Sequence, residues 1–416
     1  MNVENWHVER IKPYLRNARK ISDKAIAKVA TSLAQFGWKQ PLVVDPQGVL
    51  IVGHTRLAAA KRLGWNEVPV LVAHDLTPAQ VKAYRLMDNR SHDETDWDLD
   101  ILGLELQDLS LESIDMELTG FDLPEIERSL LYGLDDAAAD ACPEAPETPV
   151  TRLGDVWVMG AHRLVCGDAT KAEDVALAMG DGKPNLMVTD PPYGVEYDAK
   201  WREEYDKFKR HAVGKVANDD RADWAEAFRL FHGDVAYVWS SDRMAADSVL
   251  GIRAVNFEIR ACIIWRKQHF VFGRGAYHSG HEPCWYAVRK GGKANWLGDR
   301  KQSTVWEVAN LNQMGGNKDE KATGHGTQKP VELMRRPILN HTKRGDAVYD
   351  PFLGSGTTLI AAQELERVCY GLEIDPKYCD VIVQRWQQFT GKQAGLAGDG
   401  RTFEQVAYDR TETLAV

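Results

Sequence analysis

The spacing of apolar residues predicts a small unit of mixed helices and strands at the start of the chain. Apolar residues recur at helical spacing between Ser22, a capping residue, and Gly37, a glycine that can end a helix. This pattern predicts a helix over residues 24–36. The residues that follow predict strands over 41–45, 50–52 and 68–72, with a second helix over 57–63.

Short apolar runs in the second half of the chain predict a larger α/β unit. Each run is four or five residues long, which suits a strand buried on both faces of a parallel sheet. The expected fold is a doubly wound, Rossmann-like sheet preceded by the small α+β unit. The predicted strands are residues 163–167, 186–189, 235–239, 348–352 and 370–374.

A stretch rich in proline, alanine and acidic residues separates the two units. Residues 135–149 contain almost no large apolar side chain, so the sequence predicts an extended linker there. The predicted division is an N-terminal domain with an acidic helical extension (1–132), the linker (133–150), a C-terminal domain (151–395) and a tail (396–416).

The 416-residue composition, 44% apolar and 27% charged, is typical of a soluble globular protein. The chain shows neither an 18-residue apolar run nor a signal-peptide pattern, so we expect a cytoplasmic protein with reduced cysteines.

The net charge of −10 is unevenly divided along the chain. Residues 88–147 hold nineteen acidic residues against two arginines, a local charge of −17, and the rest of the chain carries +7.

Asp190-Pro191-Pro192-Tyr193 follows the predicted strand 186–189 and carries the most specific chemistry. A carboxylate and a backbone carbonyl that precedes proline can both accept hydrogen bonds from an amino group on a flat base. The prolines fix the backbone, and the tyrosine ring can stack on the base. The alternative is a turn that closes a strand, with Tyr193 as ordinary packing.

A second motif combines a strand, a glycine-rich turn and a helix start. Gly354 and Gly356 let the backbone approach a ligand, and the helix N-terminus with its hydroxyl residues favours an anionic group. Glu373, at the end of the next predicted strand, can bind ribose hydroxyls or can be a surface acid. The Gly-Lys-Ser/Thr of a P-loop is missing. The candidate residues here are Asp350, Phe352, Gly354, Ser355, Gly356, Thr357, Thr358 and Glu373.

With these two motifs, residues 151–390 resemble the DNA amino-methyltransferases that use S-adenosylmethionine, in the permuted group whose catalytic motif precedes the cofactor loop. The resemblance implies that residues 190–193 hold the target base and that Asp350, Phe352, Gly354, Gly356 and Glu373 hold the cofactor. It also implies that Asp168 and Ala169 approach the adenine of the cofactor, that Lys329 and Pro330 border its methionine end, and that the strands before Asp190 and Asp350 are neighbours.

The resemblance implies direct methyl transfer to the N6 amine of adenine in double-stranded DNA, after the base is flipped out of the duplex. N4-cytosine is the alternative target, and RNA is a third. A non-catalytic DNA-binding protein with a relic methyltransferase domain is the alternative of another class. Cys284 follows Pro283, as in carbon-5 cytosine methylation, but we interpret it as a structural cysteine. The recognition sequence, a cognate restriction enzyme and a homodimer stay open.

The N-terminal unit, about residues 8–95, resembles the ParB/sulfiredoxin family through residues 40–44, 53–58 and 63–64. In that family the glycine–arginine turn binds nucleotide phosphates, which implies such a site at Gly53, His54, Thr55 and Arg56. One of the paired arginines of the family is Thr55 here, so a DNA- or protein-docking role is the alternative to nucleotide binding. No cysteine precedes position 142, so the sulfiredoxin reaction is excluded.

Charge patterning predicts where DNA would be contacted. The long insertions 196–225 and 266–324 carry two groups of basic residues that could neutralise phosphates, and their alternative is a solvated surface. The two groups of basic residues are Lys200, Arg202, Lys207, Lys209, Arg210 and Lys215, and Arg266, Lys267, Arg274, Arg289, Lys290, Lys293, Arg300 and Lys301.

Neither the six cysteines nor the twelve histidines are spaced as metal ligands, so no metal site is predicted.

Overall fold

The computed structural model divides the chain into two compact units, residues 1–134 and 135–416. Among the described residues, no helix is long and apolar enough to cross a membrane. The structure describes residues 2–91, 97–112, 114–122, 125–126, 129, 136–195, 219–271, 277–298, 302–309 and 328–412.

The first unit is built on a four-stranded sheet in the order β1-β4-β2-β3. Its strands are β1 (Val3–His7), β2 (Leu42–Val44), β3 (Leu50–Val52) and β4 (Glu67–Val72). Among its described residues, the α-helices include α1 (Asp23–Phe36), α2 (His54–Arg62), α3 (Pro78–Ser91) and α4 (Leu99–Leu111), and Val8–Arg10 and Met116–Thr119 form short 3-10 helices.

The residues that the sequence predicts to begin and end the first helix do so in the structure. The Ser22 hydroxyl accepts a hydrogen bond from the Ala25 amide at 3.2 Å and caps α1. Gly37 ends the helix with a φ of 70°, a conformation that glycine adopts without strain. Leu42 and Leu50 are fully buried in the core of the sheet. The strand β1 was not predicted, although it forms one edge of the sheet.

The second unit contains a ten-stranded sheet in the order β11-β9-β10-β8-β7-β12-β13-β6-β5-β14. Five central strands, from β8 to β6, run parallel, and they are flanked by β10, antiparallel to β8, and by β5, antiparallel to β6. The strands are β5 (Val156–Met159), β6 (His162–Cys166), β7 (Leu186–Thr189), β8 (Val235–Trp239), β9 (Phe257–Val271), β10 (Ser279–Arg289), β11 (Val305–Glu307), β12 (Ala347–Asp350), β13 (Val368–Glu373) and β14 (Gly395–Leu396).

This arrangement confirms the predicted doubly wound α/β fold, and all five predicted strands are present. Leu186 and Met187 of β7 pair with Val348 and Tyr349 of β12, so these two strands are neighbours as expected. Aromatic residues such as Phe231 fill the core beside them. The helices of this unit are α5 (Asp136–Asp140), α6 (Ala172–Met179), α7 (Ala225–Arg229), α8 (Ala245–Ala254), α9 (Glu332–His341), α10 (Thr357–Glu364), α11 (Pro376–Thr390) and α12 (Phe403–Glu412).

Two predicted boundaries differ from the structure. The predicted extended linker contains the helix α5, whose Ala139 is 1% exposed, and it belongs to the second unit. The predicted tail after residue 395 contains β14, which pairs with β5, and α12, whose Arg410 binds Asp155. Low apolar content suggested extension in the linker, but tertiary contacts fold both segments onto the domain.

Candidate active site

The carboxyl ends of β7 and β12 meet at the centre of the large sheet. The Thr189 hydroxyl, at the end of β7, donates a hydrogen bond of 2.7 Å to the buried Asp350 carboxylate at the end of β12. Asp350 also accepts from the Phe352 amide at 3.0 Å, which fixes the start of the following turn. The two sequence motifs are therefore joined by one hydrogen bond between side chains 161 residues apart.

The residues after β7 form a compact charged cluster with Lys329. The Lys329 ammonium lies 2.6 Å from Asp190 Oδ2 and 2.7 Å from the Tyr193 hydroxyl. The Tyr193 hydroxyl in turn donates to Asp190 Oδ1. The side chain of Lys329 is only 5% exposed, whereas that of Asp190 is 25% exposed. Asp190 therefore faces the outside of the cluster, with a buried cation behind it.

Glu282 and Lys267 complete this cluster from the neighbouring strands β10 and β9. Glu282 Oε2 lies 3.1 Å from the Lys329 ammonium and 3.3 Å from the Tyr193 hydroxyl. The Lys267 ammonium donates to the other oxygen of Glu282. Both side chains are mostly buried, so the two lysines and two carboxylates neutralise one another away from water.

The pKa values follow from this arrangement. Burial raises the pKa of Asp190, and the nearby Glu282 charge adds to the effect. Burial opposes the charge on Lys329, but the Asp190 and Glu282 carboxylates outweigh it and raise the pKa of Lys329. Burial also acts against the Glu282 carboxylate, but Lys329 and Lys267 lower its pKa to about 2. At neutral pH the ammonium of Lys329 is therefore charged.

The backbone around the tetrapeptide is held by Trp224. The indole N–H of Trp224 donates to the Pro192 carbonyl at 2.9 Å, and its ring packs edge-on against Phe352, with ring centroids 4.7 Å apart. Within the described part of the chain, no donor contacts the Pro191 carbonyl. Trp224 thus contacts both the Asp190–Tyr193 motif and the turn after β12, while the Pro191 carbonyl keeps its capacity to accept a hydrogen bond.

The turn after β12 presents a helix N-terminus beside open space. Gly354 and Gly356 have φ values of 53° and 84°, which side-chain-bearing residues rarely adopt. A Cβ at Gly354 would meet no atom within 4 Å, so the turn borders an unfilled volume. Ser355 lies in this turn, and Thr357 and Thr358 begin α10 with buried side chains. The site can therefore receive a ligand that approaches the backbone closely.

Glu373 and Asp168 lie at the adjacent strand ends. The Glu373 carboxylate accepts from the Gly354 amide at 2.8 Å and from the Asp375 amide at 2.9 Å. Burial raises the pKa of Glu373 to about 7 and that of Asp350 to about 6. Asp168 follows β6, which pairs with β13, and its side chain accepts from Thr170. The buried Ala169 lies next to it.

Several sequence expectations on charged residues and Cys284 have clear outcomes. Lys267 was predicted to face DNA, but it is buried against Glu282. Arg289 was predicted likewise, but it donates to the carbonyls of Gly233, Val255 and Phe231 and serves the fold. Cys284 is fully buried in β10. Lys200, Arg202, Lys207, Lys209, Arg210, Lys215, Arg274, Arg300 and Lys301 lie outside the described residues.

The predicted phosphate turn of the first unit is engaged in its own fold. Gly53 has a φ of 102° at the start of α2, where a Cβ would lie 2.5 Å from Leu42. The Arg56 guanidinium donates to the carbonyls of Gln40 and Pro41 at 2.7 and 3.3 Å. Burial lowers the pKa of His54. Arg56 therefore lies beside the predicted phosphate turn and also fixes the backbone just before β2.

Sequence reasoning did not identify Glu282, Lys267 or Trp224 as parts of the site. The sequence assigns Glu282 no role and places Lys267 in a group of basic residues expected to contact DNA. Their proximity depends on the pairing of β9 with β10, which places Trp265 opposite Glu282 and lets the Lys267 ammonium reach the Glu282 carboxylate. Across the described ranges, no group of three or more histidine, cysteine or acidic residues could hold a metal ion.

Comparisons with known proteins agree with both halves of this structure. The profile of the N6_N4_Mtase family, described as DNA methylase, matches residues 185–384. The ParB N-terminal domain profile matches residues 1–90, and a ParB-methyltransferase HTH domain profile matches residues 100–153. The chain belongs to the ParB-like proteins in its first part and carries an N6/N4-type DNA methylase domain in its second.

Individual relatives cover parts of the chain. The type II methyltransferase M.BglII of Bacillus subtilis is 25% identical over 251 residues, 51% of this chain and 66% of that protein. The ParB-like nuclease domain-containing protein YnaK of Escherichia coli K12 is 40% identical over 73 residues, 18% of this chain and 84% of YnaK. The solved M1.HpyAVI–SAM complex is 23% identical, with a TM-score of 0.38, over 53% of this chain and 98% of that one.

The chain thus spans just under two thirds of the length of M.BglII, and a smaller share, 31%, of the Citrobacter freundii methyltransferase M.Cfr9I.

Proposed function

We propose that this protein is a site-specific DNA methyltransferase that transfers a methyl group from S-adenosylmethionine to the N6 amine of adenine. The observation that carries the proposal is the junction of β7 and β12, where Thr189 links the strand of Asp190 to Asp350. A methyl donor and an acceptor amine must lie side by side for direct transfer. The convergence of the two motifs at one sheet edge meets that requirement.

The residues at the end of β12 and β13 fit S-adenosylmethionine. Glu373 is a buried carboxylate at a strand end, and carboxylates at this place in nucleotide-binding sheets accept ribose hydroxyls. The Gly354 turn borders open space. The N-terminus of α10 carries partial positive charge, which favours a carboxylate such as that of the methionine moiety. Asp168, Ala169, Phe352 and Pro330 would line the same region.

Asp190, Pro191, Pro192 and Tyr193 would hold the target base. The cofactor supplies an electrophilic methyl group on its sulfonium sulfur. Asp190 is partly exposed and has lone pairs beyond those used by Tyr193 and Lys329, so it can accept from the amine. Together with the Pro191 carbonyl it would favour a tetrahedral nitrogen whose lone pair points at the methyl group. No enzyme nucleophile is needed.

Positioning then accounts for most of the catalysis. Correct alignment of two bound reactants contributes up to about 7–11 kcal/mol in ideal cases. The adenine amine lies inside the duplex, so the base is extruded at a cost of a few kcal/mol, part of which stacking on Tyr193 would offset. The buried Lys329 ammonium holds both Asp190 and Tyr193 in place before the base arrives.

The experiment that tests the proposal is methyl transfer from labelled S-adenosylmethionine to unmethylated duplex DNA, followed by digestion to nucleosides. We expect N6-methyladenine. If N4-methylcytosine is the only product, the assignment to adenine is wrong although the reaction class stands. Matched RNA and DNA oligomers separate an RNA target from DNA, and DNA should be preferred.

Cofactor binding separates an enzyme from a relic domain. Isothermal titration with S-adenosylmethionine should give a saturable one-site isotherm, and a Gly354→Val variant, which places a branched side chain in the turn, should lose it. A chain that binds DNA but not the cofactor would be a non-catalytic DNA-binding protein. The ParB-like unit would then carry the function, through DNA, a nucleotide or a protein partner.

A further inference from the structure

The segment ahead of the methyltransferase sheet holds the residues on both sides of Lys329. The Asp140 carbonyl accepts a hydrogen bond of 2.8 Å from the side-chain amide of Gln328. The Asp140 carboxylate accepts another, also of 2.8 Å, from the backbone amide of Val331. One residue of α5 therefore grips the chain immediately before Lys329 and immediately after Pro330.

A buried arginine connects the same segment to the glycine-rich turn. The Arg385 guanidinium donates to the Ala139 carbonyl at 2.8 Å and to the Ser355 carbonyl at 2.9 Å. It also lies 3.3 Å from the Thr357 hydroxyl, which in turn donates to the Lys329 carbonyl at 3.4 Å. Arg385 is 2% exposed, so these contacts are sheltered from water.

These contacts close a ring around the Lys329 backbone. The ring runs from Asp140 and Ala139 through Arg385 and Thr357 back to Lys329, whose ammonium reaches Asp190. The Lys329 side chain is 5% exposed and its ammonium is held by Asp190, Tyr193 and Glu282, so the stem is confined and a shift of the backbone is passed on to the ammonium. A displacement of about 1 Å at a reacting group can cost a hundredfold in rate.

We propose that Asp140 is a positioning residue of the methyl-transfer site, which fixes the backbone of Lys329 so that its ammonium stays on Asp190 and Tyr193. This inference rests on the proposed function. Asp140 touches neither the base nor the cofactor in this scheme and acts through Lys329. The segment around Asp140, which the sequence predicts as a linker and which folds as part of the second unit, therefore contributes to the methyltransferase site.

The test compares kcat and KM of full-length variants on unmethylated duplex DNA with labelled S-adenosylmethionine. Asp140→Ala removes the acceptor of the Val331 amide and should lower kcat about tenfold while KM for the cofactor changes less than threefold. Asp140→Asn keeps an acceptor oxygen and should recover most of the rate. Glu144→Ala removes a charge from an exposed position of the same segment and should behave as wild type.

A second variant keeps the test decisive if Asp140→Ala does not fold. Gln328→Met removes only the contact ahead of Lys329 and should also lower kcat with little change in KM. Wild-type kcat in both Asp140→Ala and Gln328→Met, or an Asp140→Asn variant as slow as Asp140→Ala, would overturn the inference. A wild-type protein that transfers no methyl group to any DNA would instead overturn the proposed function.

Discussion

The Lys329 ammonium lies 2.6 Å from the Asp190 carboxylate, although the two residues are 139 positions apart in the chain. Lys329 precedes β12 and Asp190 follows β7, so this ion pair spans the two halves of the proposed site. Asp190 therefore has a fixed orientation before any substrate binds. A preformed acceptor of this kind lowers the reorganisation needed when the target amine arrives.

Replacement of Asp190 by alanine should abolish methyl transfer and spare cofactor binding. A hydrogen bond to a charged group contributes about 1.5–3 kcal/mol, and loss of the orienting acceptor adds to that, so we expect kcat to fall about a hundredfold or more. Isothermal titration should show a change in S-adenosylmethionine affinity of less than about tenfold. A variant that methylates DNA at a near-normal rate would remove Asp190 from the mechanism.

Replacement of Glu282 by glutamine should destabilise the second unit. Glu282 neutralises two buried lysines, and removal of one partner of a buried ion pair typically costs about 3–5 kcal/mol. Urea unfolding measures this difference. Because the pKa of Glu282 is lowered to about 2, its stabilisation is complete above its unfolded pKa of 4.5 and is lost as the pH falls toward 2.

The matched control is Glu258→Gln, which breaks an exposed ion pair with Arg260 on the neighbouring strand β9. Exposed pairs contribute about 0–1 kcal/mol, so this variant should unfold close to wild type. Equal destabilisation by the two substitutions would contradict the central place given to Glu282 in the cluster.

Cofactor affinity should depend on pH through Glu373. Burial raises its pKa to about 7, so the carboxylate that we propose accepts ribose hydroxyls is mostly protonated at pH 6 and mostly ionised at pH 8. We expect S-adenosylmethionine to bind about tenfold more weakly at pH 6 than at pH 8, with proton release. Isothermal titration in two buffers of different ionisation enthalpy measures both quantities.

The Glu373→Gln variant is the control for this pH dependence. It has no carboxyl group to titrate at this position, so its affinity should be lower at pH 8 and should vary much less between pH 6 and pH 8. Asp350, with a pKa raised to about 6, adds a smaller dependence at the acidic end. Wild-type affinity that is the same at both pH values would show that Glu373 does not bind the cofactor as a carboxylate.

Replacement of Cys284 by alanine should leave methyl transfer largely intact. Cys284 is fully buried in β10, and burial raises the pKa of its thiol well above the usual range, which disfavours a thiolate nucleophile. We expect kcat within about threefold of wild type and a loss of roughly 1 kcal/mol in stability. Complete loss of transfer in a folded variant would point instead to carbon-5 chemistry.

The sequence predicted those parts of the site that follow strands of uniform apolar character. Asp190 directly follows the buried strand β7 and Asp350 is the last residue of β12, so their place at the carboxyl edge of the sheet could be inferred from the run of residues before them. The adjacency of β7 and β12 came from the resemblance and not from periodicity, because spacing along the chain carries no information about strand order.

The residues that the sequence did not predict depend on tertiary pairing. Lys267 looks like part of a basic surface until β9 and β10 align and bury it beside Glu282. Asp140 lies in a stretch too poor in apolar residues to suggest structure, yet hydrogen bonds to Gln328 and Val331 fold it onto the domain. The sequence shows where charged residues occur along the chain, but it does not show whether their side chains face the solvent or the interior.

The long separation of β7 and β12 also affects synthesis of the protein on the ribosome. The strand β7 lies between β8 and β12 in the sheet. In the chain, β8 begins at Val235, but β12 begins only at Ala347. A nascent chain that ends before Ala347 therefore exposes the backbone edge of a strand whose four residues are all buried in the finished fold. Synthesis of β12 is therefore expected to cover this edge, and truncation ahead of Ala347 should favour insoluble product or capture by chaperones.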